Sequence, residues 1–461
     1  MDSSQIIARH VAGLAFRDLP TSAVEATRRN LLDTVGVAIA GAAAPGCAAA
    51  VGAILGSDTG TQAAVWGTGR RASAAEAALA NGMMAHALDF DDTHDLAVLH
   101  AGVSVVPAAL AMADRIGGVS GEELAVAVTA GLDLACRLGV ATRVSPVVRG
   151  WAYTATHGLF GATAAAARLL KLDAERTGHA LGIAYAQAAG NCQCLVDGAL
   201  TKRMQPGFAA RNAVQSAIFA EAGITGTIHT FDGIHGLGRV YLGGEFDRDV
   251  LLRDLGSRYE HENLGYKPYP ACRHTHAAID AALHLAKEHD IAPDTIEAIA
   301  VGVNEEGYAN VCIPAETKCR PRVVVDAQFS IPFCVATALA RRRVFIPDLA
   351  PDALGDPAVL RLASLVRAHV DPRLQQEHGR GVSPAAVSIV LKNGTTLTAV
   401  REEALGGLGA PMDFDMLAAK FRQCAQHAWG PAAEARADAL VEMFRGFESL
   451  PDVRALTSAL G

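Results

Sequence analysis

The sequence has few aromatic and few charged residues. Aromatic residues make up 5% of the 461 residues and charged residues 19%, whereas apolar residues make up 51%. The apolar content is mostly Ala, Leu and Val, a usage typical of tightly packed helices and unlike that of a disordered chain. A chain of this length exceeds one ordinary hydrophobic core, so two domains are predicted.

Basic runs and targeting signals are also scarce. The net charge is −8, and the longest Lys/Arg run is the three arginines at 341–343, so no nucleic-acid partner is predicted. Residues 1–10 lack the basic start and apolar core of a signal peptide, and the longest apolar stretch, 101–113, is too short to span a membrane. The nine cysteines form no pair of CxxC motifs and suit a reducing compartment. We therefore expect a cytoplasmic protein without membrane contact or structural zinc.

Nucleotide and hydrolase motifs are missing as well. Gly67-Thr-Gly69 and Gly236-Leu-Gly238 lack the third glycine and the preceding strand of a dinucleotide-binding turn, and neither GxSxG nor HExxH occurs. The sequence therefore predicts chemistry by the protein's own side chains, with no cofactor.

Helical signals dominate the first part of the chain. Capping boxes are predicted at Ser22 to Glu25, Ser73 to Glu76 and Ser120 to Glu123, because each places a hydroxyl three residues before a Glu. Further helical patterns cover 156–172, 174–189 and 208–222, and no convincing strand precedes residue 260.

The pattern changes after Gly265. Residues 296–303 alternate as a strand does, 386–400 form two β-rich runs joined by Asn393-Gly394, and helical patterns return at 412–426 and 431–447. These signals predict a mainly α fold, with a large all-helical domain from both chain ends (1–264 and 405–461) and an inserted, smaller α+β lid domain (265–404). A cleft between two such domains is a usual place for a small ligand.

The densest polar cluster lies between two apolar helical stretches. Four Asp and three His fall within residues 86–100. Crowded carboxylates and imidazoles shift one another's pKa toward neutrality, which suits proton transfer. The alternative for each residue is a polar loop that caps helices.

Two metal-dependent alternatives share this segment. Asp91-Asp92-Thr-His-Asp95 spells the DDxxD motif of terpenoid synthases, and His94-Asp95 occurs in metal phosphohydrolases. The first needs a second acidic motif, for which Asn304-Glu-Glu306 lacks the spacing, and the second needs a further His and Asp. We therefore predict a site without metal.

Two basic clusters follow. Lys202, in 198–212, precedes a helix expected to begin near Gly207 and can present its ammonium to an anion, although a surface lysine is the alternative. In 267–280, Cys272 and His276 have the spacing of a metal half-site, although packing or capping explains such a cysteine equally well.

Taken in order, these segments resemble the MmgE/PrpD family, which includes 2-methylcitrate dehydratase, cis-aconitate decarboxylase and iminodisuccinate epimerase. The matching pieces keep the family's order over nearly the whole chain: 31–41, 81–93, 157–162, 202–211, 267–276 and 329–332. The resemblance implies the two-domain architecture above, a homodimer and metal-free chemistry on a small carboxylate substrate. It also implies that Asp89, Thr93, His100, Lys202 and Lys267 match positions that face the active site.

The predicted site combines the polar and basic clusters described above with the positions that the family resemblance implies. The predicted catalytic residues are Asp89, His100 and Lys202, and the predicted substrate contacts are Thr93, Asp92, Tyr153, His157, Lys267, Cys272 and His276. The favoured function is a metal-independent hydro-lyase of the 2-methylcitrate dehydratase type acting on a small di- or tricarboxylic acid. The alternatives are an epimerase and a decarboxylase of the cis-aconitate type.

Three departures from the family's decarboxylase pattern bear on that last alternative. Ala152 and Cys272 stand where the decarboxylase carries His, and Phe333 stands where it carries Tyr. They predict that cis-aconitate is not decarboxylated at a useful rate. Tyr153, next to Ala152, is a candidate replacement donor, with packing as its alternative role.

Overall fold

The computed structural model describes residues 1–378, 382 and 384–461. The chain forms two compact units, the first built from Met1–Leu264 with Asp413–Gly461 and the second from Gly265–Met412. The predicted mainly α fold class is confirmed, because small sheets are the only extended elements among the described residues.

The elements follow one another along the chain in three groups. The first part of unit 1 contains α1 (Ser3–Gly13), α2 (Thr21–Gly41), α3 (Cys47–Ser57), β1 (Ala63–Val65), β2 (Arg70–Ala72), α4 (Ala74–Ala85), α5 (Gly102–Ile116), α6 (Gly121–Ala141), α7 (Pro146–Arg149), α8 (Tyr153–Leu169), α9 (Ala174–Tyr185), α10 (Gln193–Val196), α11 (Thr201–Glu221), α12 (Leu237–Val240) and α13 (Arg248–Leu252). Unit 2 contains α14 (His276–Glu288), β3 (Ile296–Val303), α15 (Glu305–Val311), α16 (Ala315–Cys319), α17 (Val324–Gln328), α18 (Ile331–Arg341), α19 (Pro357–Leu365), β4 (Val366–Val370), α20 (Pro372–His378), β5 (Ala385–Leu391) and β6 (Thr396–Arg401). The chain then completes unit 1 with α21 (Phe414–Trp429), α22 (Glu434–Arg445) and α23 (Arg454–Ala459).

The core of unit 1 is a group of Ala-rich helices in mutual contact, namely α4, α5, α6, α8 and α11. Within the described part of the chain, α6 alone is long and apolar enough to cross a bilayer, and 94% of its most apolar window is buried inside the structure. That burial is typical of a core helix of a folded domain.

Glycines let α4 and α11 cross closely. A Cβ added to Gly207 would lie 2.4 Å from the carbonyl oxygen of Leu79, and one added to Gly82 would lie 2.9 Å from the Cα of Gly207. The prediction that this helix begins near Gly207 is wrong, because α11 begins at Thr201 and continues through Pro206. Lys202 therefore lies in the first turn of a long helix, shortly before the residue, Gly207, at which that helix packs closely on α4.

The structure bears out some of the predicted helix starts in the first part of the chain and contradicts others. Ser120 and Glu123 form the predicted capping box, whereas Ser73 occupies the N-cap of α4 without a side-chain hydrogen bond. The box at Ser22 is wrong, because α2 begins one residue earlier, directly after Pro20. The β1–β2 hairpin was missed, since each strand has only three residues.

Unit 2 contains a four-stranded sheet in the order β4-β3-β5-β6. The predicted strand at 296–303 and the predicted hairpin are confirmed, with Gly394 at the positive φ that an Asn-Gly turn uses. Strand β4, which pairs parallel to β3, was missed, because it has only five residues and follows α19 without an intervening turn. Helices α14 and α18 pack on this sheet.

Candidate active site

The segment between α4 and α5 carries an ion pair with Lys202. The Nζ atom of Lys202 lies 2.8 Å from Oδ1 of Asp89, and the two side chains are 18% and 5% exposed. Asp89 has a φ of 54°, in the left-handed region that non-glycine residues seldom occupy. The turn thus directs a buried carboxylate toward a partly exposed ammonium.

Asp91 lies between two imidazoles. Its Oδ2 atom is 2.8 Å from Nδ1 of His86 and 3.3 Å from Nδ1 of His100, and the two rings are 5.2 Å apart between centroids. Burial lowers the pKa of His86, and the Lys202 cation lowers it further, while Asp91 acts in the opposite direction. His86 is therefore a neutral donor to the Asp91 carboxylate.

The backbone of the segment sets the tautomer of His100. Its Nδ1 lies 2.5 Å from the carbonyl oxygen of Asp92. A carbonyl only accepts hydrogen bonds, so Nδ1 carries the proton and Nε2 is the basic nitrogen of the neutral ring. The His100 amide donates to the Thr154 hydroxyl at 3.2 Å, which fixes the residue from α8. The side chain of His100 is 21% exposed, so a ligand can reach this imidazole.

Asp92, predicted as a substrate contact, caps α5 instead. Its carboxylate accepts from the amides of Ala101 at 2.9 Å and Gly102 at 3.1 Å. Burial, followed by repulsion from Asp91, raises the pKa of Asp92 to about 7. Asp91 and Asp92 thus both turn toward protein donors, an arrangement unlike the magnesium-binding face that the DDxxD alternative requires.

Thr93 and His94 continue the turn with local contacts. The Thr93 hydroxyl donates to Asp95 at 3.2 Å. Nδ1 of His94 accepts from the Ala97 amide, and its other nitrogen lies 4.0 Å from a carboxylate oxygen of Glu260. Thr93 is buried beside Asp92, within the same turn as the ion pair and the imidazoles.

Tyr153 and His157 stack on each other in α8. Their ring centroids are 4.8 Å apart, the Tyr153 hydroxyl donates to the Val144 carbonyl at 2.9 Å, and His157 Nε2 lies 3.1 Å from the Thr142 hydroxyl. Burial raises the pKa of Tyr153 to about 12 and lowers that of His157 to about 3. These contacts favour the packing interpretation of Tyr153.

The remaining predicted residues belong to unit 2. Lys267 is 1% exposed, and the Cys272 amide donates to the Gln328 carbonyl at 2.9 Å. His276 is fully buried, with Nε2 3.1 Å from the carbonyl of Ala271 and Nδ1 3.4 Å from the guanidinium of Arg273. Both nitrogens of His276 therefore contact protein groups, which speaks against the metal half-site with Cys272.

Four residues that were not predicted belong to the same constellation. His86 and Asp91 lie inside the polar cluster, but no local pattern distinguishes them from their neighbours. Lys420 and Asp33 form a buried ion pair beside Phe90, with Nζ and Oδ1 2.7 Å apart. No local pattern signals that pair, because its members lie 387 residues apart in sequence.

Comparison with known proteins covers both units. Residues 5–249 match the model of the MmgE/PrpD N-terminal domain, and residues 269–445 match that of the MmgE/PrpD C-terminal domain. Cis-aconitate decarboxylase of Aspergillus terreus is 25% identical over 475 residues, covering 98% of this chain and 95% of that protein. Cis-aconitate decarboxylase of Homo sapiens is 25% identical over 474 residues, covering 99% and 94%. A cis-aconitate decarboxylase-like protein of Aspergillus oryzae is 28% identical over 370 residues, or 76% of each chain.

Proposed function

Because the chain belongs to the MmgE/PrpD family, we propose that it is a lyase that removes a proton next to a carboxylate of a small di- or tricarboxylic acid. The observation that carries this proposal is the ion pair of Lys202 with Asp89, on the same short segment as Asp91 and its two imidazoles. The named relatives support an enzyme, and they are lyases by their names.

The proposal gives each group a role that its position supports. A carbon-bound proton beside a carboxylate is weakly acidic, because its removal accumulates negative charge. Lys202 neutralises that charge as it develops, which is the largest kind of contribution such sites make. His100 transfers the proton through Nε2, a contribution of roughly 10²- to 10⁴-fold in rate. Asp91 holds the imidazole and stabilises its charged form, and Asp89 orients the ammonium.

We propose water elimination as the reaction, and decarboxylation as the second candidate. The names of the relatives favour decarboxylation. Ala152 and Cys272 argue against it, because they lack the imidazoles that the resemblance implies for a decarboxylase. Phe333 carries no phenol hydroxyl, and it lies fully buried in the apolar core of unit 2. An epimerase would use the same carbanion and return the proton to its other face.

The accompanying proposals follow the same reasoning. The Asp-rich segment serves proton transfer and helix capping, so the proposed reaction uses neither metal nor cofactor. Thr93, Lys267 and Cys272 remain proposed substrate contacts, whereas we propose packing roles for Tyr153, His157 and His276, because their polar atoms contact protein groups. A homodimer, which the family resemblance implies, and the cytoplasmic location that the sequence predicts complete the proposal.

A panel of small di- and tricarboxylates that includes 2-methylcitrate, citrate and cis-aconitate tests the proposal. Ligands are first ranked by thermal stabilisation, which reaches ~2.7 kcal/mol at a hundredfold excess over Kd. Reactions in heavy water are then followed by NMR. We expect loss of water from a 2-hydroxy acid and no itaconate from cis-aconitate.

The outcomes separate the candidate activities. Itaconate formation would establish the decarboxylase. It would also reject the interpretation that Ala152, Cys272 and Phe333 prevent decarboxylation of cis-aconitate. Deuterium incorporation without loss of water or carbon dioxide would favour the epimerase. If no acid of the panel stabilised the protein and none was turned over, the proposal of a small carboxylate substrate would be rejected.

A further inference from the structure

A second lysine reaches the candidate active site from the carboxyl-terminal part of unit 1. The ammonium of Lys420, on α21, lies 2.7 Å from Oδ1 of Asp33 and 2.7 Å from the carbonyl oxygen of Phe90. The same nitrogen lies 3.9 Å from the centroid of the Phe90 ring. The Lys420 and Asp33 side chains are only 5% and 0% exposed. One buried cation thus contacts an acid, a peptide carbonyl and an aromatic face.

Phe90 joins the two acids on which the site depends. Asp89, the partner of Lys202, precedes it, and Asp91, the partner of the two imidazoles, follows it. A hydrogen bond to the Phe90 carbonyl fixes the peptide unit that leads into Asp91. The positive φ of Asp89 is a strained conformation that persists only where the surroundings hold it. Lys420 supplies such a restraint from outside the segment.

The charge of Lys420 also matters to the acids. Among the effects that raise the pKa of Asp92, repulsion from Asp33 follows burial and repulsion from Asp91. Lys420 balances the charge of Asp33, as Lys202 balances that of Asp89. Loss of the Lys420 charge would add repulsion among the carboxylates and displace the turn.

We propose that Lys420 is a positioning residue, whose ammonium holds the Phe90 carbonyl against Asp33 and so fixes Asp89 and Asp91 for Lys202 and His100. The expected effect on turnover rests on the proposed function, whereas the expected effect on the Lys202 ion pair does not.

Two variants separate positioning from stability. Lys420→Met removes the ammonium, keeps most of the side-chain volume and leaves Asp33 buried without this cation, which should lower Tm strongly. The double variant Lys420→Met/Asp33→Leu replaces both charged groups by apolar side chains of similar volume and should regain much of that Tm. Neither of the introduced side chains carries a donor for the Phe90 carbonyl, so we expect kcat to fall by about 10- to 100-fold in both variants, with a smaller change in KM. Recovery of kcat together with Tm in the double variant would overturn the proposal.

Arg137→Met is the matched control. Arg137 is a buried cation of the same unit that pairs with Asp133 at 2.7 Å and donates to the carbonyls of Leu251 and Arg253. The Arg137→Met variant should have a lower Tm than the wild type, without a comparable fall in kcat. An equal loss of kcat at an equal loss of Tm would show that general destabilisation explains the effect of Lys420.

Chemical labelling of lysine amines tests the positioning without a substrate. The wild-type protein and both Lys420 variants are treated with acetic anhydride, and the peptides that contain Lys202 are quantified by mass spectrometry. The 71%-exposed Lys171 serves as the internal standard. We expect Lys202 to react several-fold faster in both variants, because its ion pair with Asp89 is loosened. An unchanged labelling rate of Lys202 would overturn the positioning proposal. This result does not depend on the proposed function, because the labelling uses no substrate.

Discussion

Lys202 is the residue on which the proposed chemistry depends most. We expect Lys202→Ala to lower kcat/KM by about 10²- to 10³-fold, because the carbanion loses its nearest cation. The protein should still fold, because Ala is a good helix former, although Tm should fall because the 5%-exposed Asp89 carboxylate loses its cation. Steady-state kinetics and thermal unfolding measure both quantities, with Lys171→Ala as the surface control. Near-normal kcat/KM in folded Lys202→Ala would contradict the role assigned to the ammonium.

Tyr153 tests whether a residue beside a departure from the family pattern takes over its chemistry. Its hydroxyl donates to the Val144 carbonyl and its ring stacks on His157. We therefore expect Tyr153→Phe to leave kcat unchanged and to cost about 0.5–1.5 kcal/mol of unfolding free energy, the usual net value of one hydrogen bond. A sharp fall in kcat with an unchanged KM would instead assign the phenol to the transition state.

Asp92 predicts a pH dependence of stability. Its pKa is raised from 3.8 to about 7, so between these values the folded protein holds a proton that the unfolded chain has lost. The contribution of Asp92 to the unfolding free energy therefore falls as pH rises through this window and is constant outside it. Asp92→Asn keeps an acceptor for α5 but does not titrate. We expect the difference in unfolding free energy, variant minus wild type, to rise across that window.

Urea unfolding at a series of pH values measures this difference. Asp173→Asn, at the exposed N-cap of α9, is the control for the same substitution at a helix start. A pH-independent difference for Asp92→Asn would show that Asp92 is already ionised throughout.

At the scale of elements, the close crossing of α4 and α11 sets the position of Lys202. A methyl group on Gly207 would lie 2.4 Å from the backbone oxygen of Leu79, which cannot move aside cheaply. We expect Gly207→Ala to cost about 1–3 kcal/mol of unfolding free energy and to lower kcat, because α11 must shift relative to Asp89.

Gly52→Ala is the matched control for that substitution. Gly52 lies inside α3 with no atom within 4 Å of an added Cβ. It should therefore be stabilising by about 0.5–1 kcal/mol, with normal kcat. Wild-type stability of Gly207→Ala in the same urea titration would show that the two helices tolerate a wider separation.

At the scale of the whole molecule, the engaged carboxylates predict that activity does not depend on an added metal. Asp91 and Asp92 accept hydrogen bonds from His86 and from the first amides of α5. We expect full turnover of the panel's best acid after exhaustive dialysis against a chelator. Activity that is lost on dialysis and restored by magnesium would return attention to the DDxxD alternative.

Features that depend on short-range patterns could be predicted from the sequence alone. The Asn393-Gly394 turn and the alternation of 296–303 predicted strands that the structure contains, because turn chemistry and side-chain period are properties of a few consecutive residues. The order of motifs along the chain likewise identified the family. The start of α11 was misplaced, because a Pro-Gly pair signals a boundary locally and only the packing against α4 shows why the helix continues through it.

Which of the clustered polar residues act together became evident only from the folded chain. Composition marked 86–100 as a candidate site, but it could not show that Asp91 joins His86 and His100 while Asp92 caps α5. That choice depends on the turn that gives Asp89 a positive φ. Lys420 and Asp33 are the extreme case, since their buried ion pair forms only when both ends of unit 1 fold together. The physical reason is that charges pair through space at a few ångströms, whereas sequence patterns report only on neighbours along the chain.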